Sequence, residues 1–119
     1  MNARDNSTVT SWWWIRHAPV TSHHGRLYGN TDVSANTDDV GAYQGLAAQL
    51  PEGALWVASH LQRTLQTAGA IAKAGHPVSE PLVEEDLAEQ NFGDWQGLTY
   101  DEVAEQRADA DHPFWIAPA

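Results

Sequence analysis

Three consecutive tryptophans, Trp12-Trp13-Trp14, run through Ile15 into Arg16-His17 and constrain this chain more than any other feature. Side chains on a strand alternate between its two faces, so such a run cannot point one way. A strand carrying it needs cover on both faces, as in a parallel sheet packed between helices. Residues 12–17 are therefore expected to form a buried strand. It would deliver an imidazole and a guanidinium to the C-terminal edge of the sheet, where α/β folds gather their chemistry and where an arginine can bind an anion. On its own an Arg-His pair is a common solvated strand end, and the segments downstream give it its meaning.

Those segments alternate strand with helix. Residues 18–38 read as a long polar loop punctuated by Pro19, Gly25, Gly29, Asn30 and Asn36, and a loop of that length in a compact domain is usually functional. Val40, Tyr43, Ala47 and Leu50 recur at helical spacing over about 38–50, before Pro51 and Gly53. Leu55-Trp56-Val57-Ala58 reads as a short strand ending at Ser59-His60. A helix follows with Leu61, Leu65, Ala68 and Ala72 on one side, until Gly75 and Pro77 stop it. Residues 78–83 form a weaker strand, because Pro81 lacks a ladder donor. Residues 84–97 are an acidic loop, Thr99 and Glu102 make a capping-box pattern for a helix to about Ala108, and 109–119 are an irregular tail. This order predicts an α/β fold with a mainly parallel sheet and right-handed crossovers, in one domain over 12–119 after a flexible start at 1–11.

Charge and composition narrow the function. Sixteen acids against six Lys and Arg give a formal net charge of -10, which argues against nucleic acid and anionic lipid as partners. Any anion site must be built locally, and Arg16, Arg26 and Arg63 fall in or near the segments that could build one. The absence of cysteine excludes disulfides, a thiolate nucleophile and zinc-thiolate ligation. The apolar run that ends at Arg16 is too short for a signal-peptide core or a membrane span, so a soluble, cytoplasmic protein is expected.

Arg63 opens the second helix just after Ser59-His60, where helix N-H groups and dipole already favour an anion. Glu89 lies in Leu87-Ala88-Glu89-Gln90-Asn91-Phe92-Gly93-Asp94-Trp95-Gln96-Gly97, where glycines and aromatics imply an ordered loop. Together these segments resemble the histidine phosphatase superfamily, also called phosphoglycerate mutase-like. Its Arg-His-Gly motif is matched by Arg16-His17-Ala18, and its Ser-x-Leu-x-Arg-x-x-x-Thr-Ala motif by Ser59, Leu61, Arg63, Thr67 and Ala68. Its Glu, aromatic-Gly and Trp-x-Gly elements are matched by Glu89, Phe92-Gly93 and Trp95-Gln96-Gly97. The closest flavour is that of small bacterial phosphatases such as α-ribazole phosphatase.

The resemblance implies a three-layer α/β/α architecture, incomplete at the C-terminus, and a phosphomonoester hydrolase acting on a small phosphorylated metabolite. His17 would be the nucleophile that becomes a phosphohistidine, with the charge of Arg16 opposing its protonation. Arg16 and Arg63 would clamp the phosphoryl oxygens, and Glu89 would act first as acid, then as base. No cofactor or metal is implied. His23 stands where many members carry a phosphate-contacting Asn, and Ala18-Pro19 replaces the usual Gly after the nucleophile. Adjacent His23 and His24 lack a third ligand at metal spacing. The family's second histidine, which follows a later strand, has no counterpart, since neither His76 nor His112 follows an apolar run. The chain thus resembles the N-terminal part of a longer enzyme. A phosphoglycerate mutase-type phosphotransferase and a noncatalytic phosphate-binding fragment are the alternative readings.

Overall fold

The computed structural model describes residues 8–108. Its elements are α1 (Val40–Ala47), β1 (Val57–Ala58), α2 (Gln62–Lys73), β2 (Leu82–Val83) and α3 (Tyr100–Ala108), with 3₁₀ turns at Glu85–Leu87 and Gly93–Trp95. The strands β1 and β2 pair in parallel, Val57 opposite Leu82 and Ala58 opposite Val83. Because α2 makes the crossover between them, this is a βαβ unit of the expected α/β class. Both strands are shorter than predicted. Pro81 offers no N-H, so the ladder begins only where Leu82 N-H reaches Trp56 O at 2.9 Å.

The expected strand at 12–17 does not form. Among the described residues this segment has no ladder, and Trp12, Trp13 and Trp14 are 69%, 56% and 80% exposed. Cover on both faces needs two layers. The described residues instead anchor only the end of the segment, with Ile15 packed on a core cluster and Ala18 inside it. Trp12 and Trp14 recover some contact by stacking on each other, with ring centroids 5.8 Å apart and planes 13° from parallel.

Helix α1 starts at Asp39, whose carboxylate accepts from Ala42 N-H at 3.2 Å. It closes before Leu50, because Gln49 and Leu50 N-H both turn back to Leu46 O. Its buried Tyr43 packs beside Leu50, Ile71 and Ala18 in the main core cluster. Burial, reinforced by Asp39 and Asp38, raises the Tyr43 phenol pKa above its ordinary value.

Of the predicted face of α2, the N-cap Leu61 and Ala68 are buried, yet Leu65 and Ala72 are exposed, and Ile71, which that face did not include, is fully buried. Arg63 and Thr67 take the inward positions. The Thr67 hydroxyl explains part of this: it donates to Arg63 O at 2.7 Å and accepts from Ala18 N-H at 2.8 Å, binding the helix to the chain just after His17. Burying Ile71 and Leu61 stabilises the unit by roughly 2 kcal/mol each.

A second cluster joins Leu27, Phe92, Trp95 and Val103. It docks α3, whose start is the expected cap, Glu102 N-H donating to Thr99 Oγ1 at 3.2 Å, and whose side is held by Trp95 Nε1-H on Gln106 Oε1 at 2.9 Å. The predicted tail at 109–119, His112 and the first seven residues lie outside the described residues. Among the described residues no helix is long and apolar enough to cross a membrane.

Candidate active site

The long loop at 18–38 is tied down at several points. Asn36 N-H reaches Pro19 O at 2.6 Å, closing its base. Asp32 accepts from Gln62 N-H at 2.7 Å, so a loop carboxylate caps α2 and occupies the first of its free donors. Further along, Leu27 makes backbone bonds to both Leu98 and Gly97: its N-H donates to Leu98 O at 2.8 Å, and its O accepts from Gly97 N-H at 2.7 Å. Arg26 Nη1 adds a bond to Gly97 O at 2.7 Å. The loop is thereby held against the segment that carries Glu89.

Gly29 sits at the closest approach of these two segments. Its φ is +52°, and an added Cβ would lie 2.7 Å from Phe92 Cδ2 and 3.0 Å from Gln90 O, so only glycine fits without displacement. Gln96 finishes the joint, because its Oε1 accepts from Asn30 N-H at 3.1 Å and from Phe92 N-H at 3.3 Å.

Arg63 is fully buried at 0% exposure. Its guanidinium forks onto the same loop, Nη1 donating to Thr31 O at 2.7 Å and Nη2 to Gly29 O at 2.6 Å. The Nε is buried with no protein partner. The cation lies over the face of Tyr28, with Cζ 4.9 Å from the ring centroid. Arg63 thus organises the loop with two of its arms.

His17 is half-buried, and its Nδ1 lies 2.6 Å from Ala18 O. With the proton on Nδ1 donating to that carbonyl, Nε2 keeps a lone pair. Arg16 is exposed beside it. Glu89 is also exposed, and its Oε1 accepts from its neighbour Gln90 N-H at 2.8 Å.

Arg16, His17, Arg63 and Glu89 line one cavity of about 560 Å³, so four of the five residues singled out in the sequence converge. His23 lines an adjoining cavity of about 460 Å³ that shares Arg16 and His17. Its Nδ1 is buried and has no partner. Ser59 lines the larger cavity too, though it is buried, with its Oγ accepting from Leu61 N-H at 3.3 Å. His60 is exposed, and His24 adopts a left-handed φ of +47°. Among the described residues no group of three or more His, Asp or Glu is placed to hold a metal ion.

Sequence reasoning passed over Tyr28, Gln96 and the hydroxyl of Thr67 as parts of this arrangement. Tyr28 lines both cavities. A signal for it existed, since it is the only Phe, Trp or Tyr in the polar loop at 18–38 and it precedes a glycine.

Known proteins resemble this chain in sequence and in fold. The chain is 36% identical over 95 residues to glucosyl-3-phosphoglycerate phosphatase of Mycolicibacterium vanbaalenii, covering 75% of this chain and 40% of that protein. It is 34% identical over 113 residues to a bifunctional protein of Mycobacterium tuberculosis, covering 92% of this chain and 30% of the other. Among solved structures, the native mycobacterial glucosyl-3-phosphoglycerate phosphatase superposes with a TM-score of 0.61 at 26% identity, over 79% of this chain and 44% of that one. A protein described as mycobacterial hydrolase 1 gives 0.62 at 25% identity, over 79% and 46%. The chain therefore spans less than half the length of these relatives. Residues 12–119 match the histidine phosphatase superfamily, branch 1, and the chain belongs to that family.

Proposed function

We propose that this chain carries the nucleophile, the anion clamp and the proton-transferring carboxylate of a phosphomonoester hydrolase working through a phosphohistidine at His17. The observation that carries this reading is the convergence of Arg16, His17, Arg63 and Glu89 on one cavity; the His17 Nδ1, 2.6 Å from Ala18 O, suits the tautomer whose Nε2 lone pair would attack. In the first step the Nε2 lone pair bonds to phosphorus as the ester P-O bond breaks, and Glu89 acts as the acid that gives a proton to the leaving oxygen. In the second, the Glu89 carboxylate takes a proton from water as that water's oxygen attacks phosphorus; the N-P bond breaks and phosphate leaves. Arg16 and the unpartnered Nε of Arg63 offset the charge on the phosphoryl oxygens, and His23 donates a further hydrogen bond from its own cavity. These groups neutralise the charge without a metal in the scheme.

A small phosphorylated metabolite is the substrate class. The name of the Mycolicibacterium relative supports a sugar-acid phosphate within that class, and it favours hydrolysis over mutase chemistry. A second reading is a phosphate-binding segment that does not turn over alone, favoured by the chain's spanning 30% to 46% of its relatives. Incubation with a radiolabelled phosphomonoester separates the two. Acid-labile label on His17, with phosphate release, is expected and should vanish in His17→Ala. Binding of phosphate without label or release would support the second reading, while turnover persisting in His17→Ala would sink the first.

A further inference from the structure

The geometry points to Tyr28 as a positioning residue of this site, an inference that rests on the phosphatase reading for its purpose but not for its geometry. Three groups with separate origins in the sequence meet its ring. The Arg63 guanidinium lies over the face, 4.9 Å from the centroid. The His23 ring stands edge-on at 5.7 Å and 78°, and the His17 ring at 6.4 Å and 65°. A benzene ring carries negative charge on its face and positive charge at its edge, so the face suits the cation and the inclined contacts suit the imidazoles.

Tyr28 itself is held from both sides along the backbone. Its own carbonyl accepts from Thr31 N-H at 2.8 Å, and the preceding residue, Leu27, is bonded to Gly97 and Leu98. The following Gly29 is wedged against Phe92 and receives Arg63 Nη2. The backbone on both sides of the ring is consequently fixed, so the ring is a set surface against which the two imidazoles and the plane of the already anchored Arg63 guanidinium pack.

Its effect on Arg63 is specific. With Nη1 and Nη2 committed to Thr31 O and Gly29 O, the guanidinium plane could still tilt about those two bonds. The ring beneath it removes that freedom, setting the direction in which the unpartnered Nε presents its proton. Tyr28 also lines both the cavity that holds Glu89 and the one that holds His23. Aromatic packing, and not the phenol hydroxyl, is the property this role requires.

The test compares the unmodified chain with Tyr28→Phe and Tyr28→Leu, by NMR of the guanidinium and imidazole groups and by titration with inorganic phosphate. In the unmodified chain the Arg63 guanidinium resonances are expected upfield, shielded by the ring. Tyr28→Phe should keep both that shift and the phosphate affinity. Tyr28→Leu should lose the shift, move the His17 and His23 imidazole signals, and weaken phosphate binding roughly tenfold. An unshielded Arg63 in the unmodified chain overturns the inference, as does a Tyr28→Leu chain that binds phosphate normally. Equal losses in Tyr28→Phe and Tyr28→Leu also overturn it, because they assign the role to the hydroxyl. Should Tyr28→Leu fail to fold, the shielding in the unmodified chain and the behaviour of Tyr28→Phe decide. A chain that binds no phosphate, yet shows the expected Arg63 and imidazole shifts, defeats the phosphatase reading and leaves the positioning role standing.

Discussion

Arg63 and Glu89 face one cavity from opposite physical situations. Arg63 has no exposed surface, two backbone carbonyls on its fork and an aromatic ring beneath it. Glu89 is exposed, with a 2.8 Å hydrogen bond to the adjacent backbone. The difference teaches that the cation is part of the framework while the carboxylate is mounted on it. A buried charge must be paired or hydrogen-bonded to be tolerated, so Arg63 is obliged to organise its surroundings. An acid that exchanges protons with a leaving group and with water benefits from remaining accessible.

The largest test of this contrast is Arg63→Ala. It leaves the buried Gly29 O and the part-buried Thr31 O without their donor and removes the support of α2 on the loop, and should cost about 3 kcal/mol in denaturant unfolding. A loss below about 1 kcal/mol would break the comparison, since Arg63 would then be no more structural than Glu89. Gly29→Ala comes next. The left-handed φ and the contact with Phe92 should lower stability by about 2 kcal/mol, read as a shift of the unfolding midpoint without a change of slope.

Thr67→Val keeps the shape but removes both the donor to Arg63 O and the acceptor for Ala18 N-H, and about 1.5 kcal/mol is expected. Hydrogen exchange should locate the loosened amide at Ala18. Glu89→Gln completes the series with a change in stability within about 0.5 kcal/mol, while phosphate release from a monoester falls roughly a hundredfold. Stability lost together with activity in that variant would place Glu89 in the framework after all.

Much of the site was legible because its elements depend on local chemistry. Gly75 and Pro77 bound a helical run, Thr99 and Glu102 cap one, and Ser59-x-Leu61-x-Arg63 places a guanidinium in a helix's first turn; all three appear in the structure. The inward face of α2 was only partly legible. Apolar periodicity chose Leu65 and Ala72, whereas bonds to residues 18, 29 and 31 drew Arg63 and Thr67 inward. Those partners are more than thirty residues away, and no helical pattern contains them.

The tryptophan run shows the same limit more sharply. Its composition demands cover on two faces, but composition does not supply the layers. In the described residues the segment is anchored through Ile15 and Ala18 and stays unpaired, with Trp12 and Trp14 on each other. The sequence by itself determined the α/β order, the motif residues and the family to which they belong, because periodicity, capping and motif spacing are written in neighbouring residues. Only the tertiary structure decided that Tyr28 joins His17, His23 and Arg63, that Gln96 locks two loops together, and that Arg63 is buried while Glu89 is exposed. Those outcomes follow from long-range hydrogen bonds and close packing, which exist only once distant segments have met.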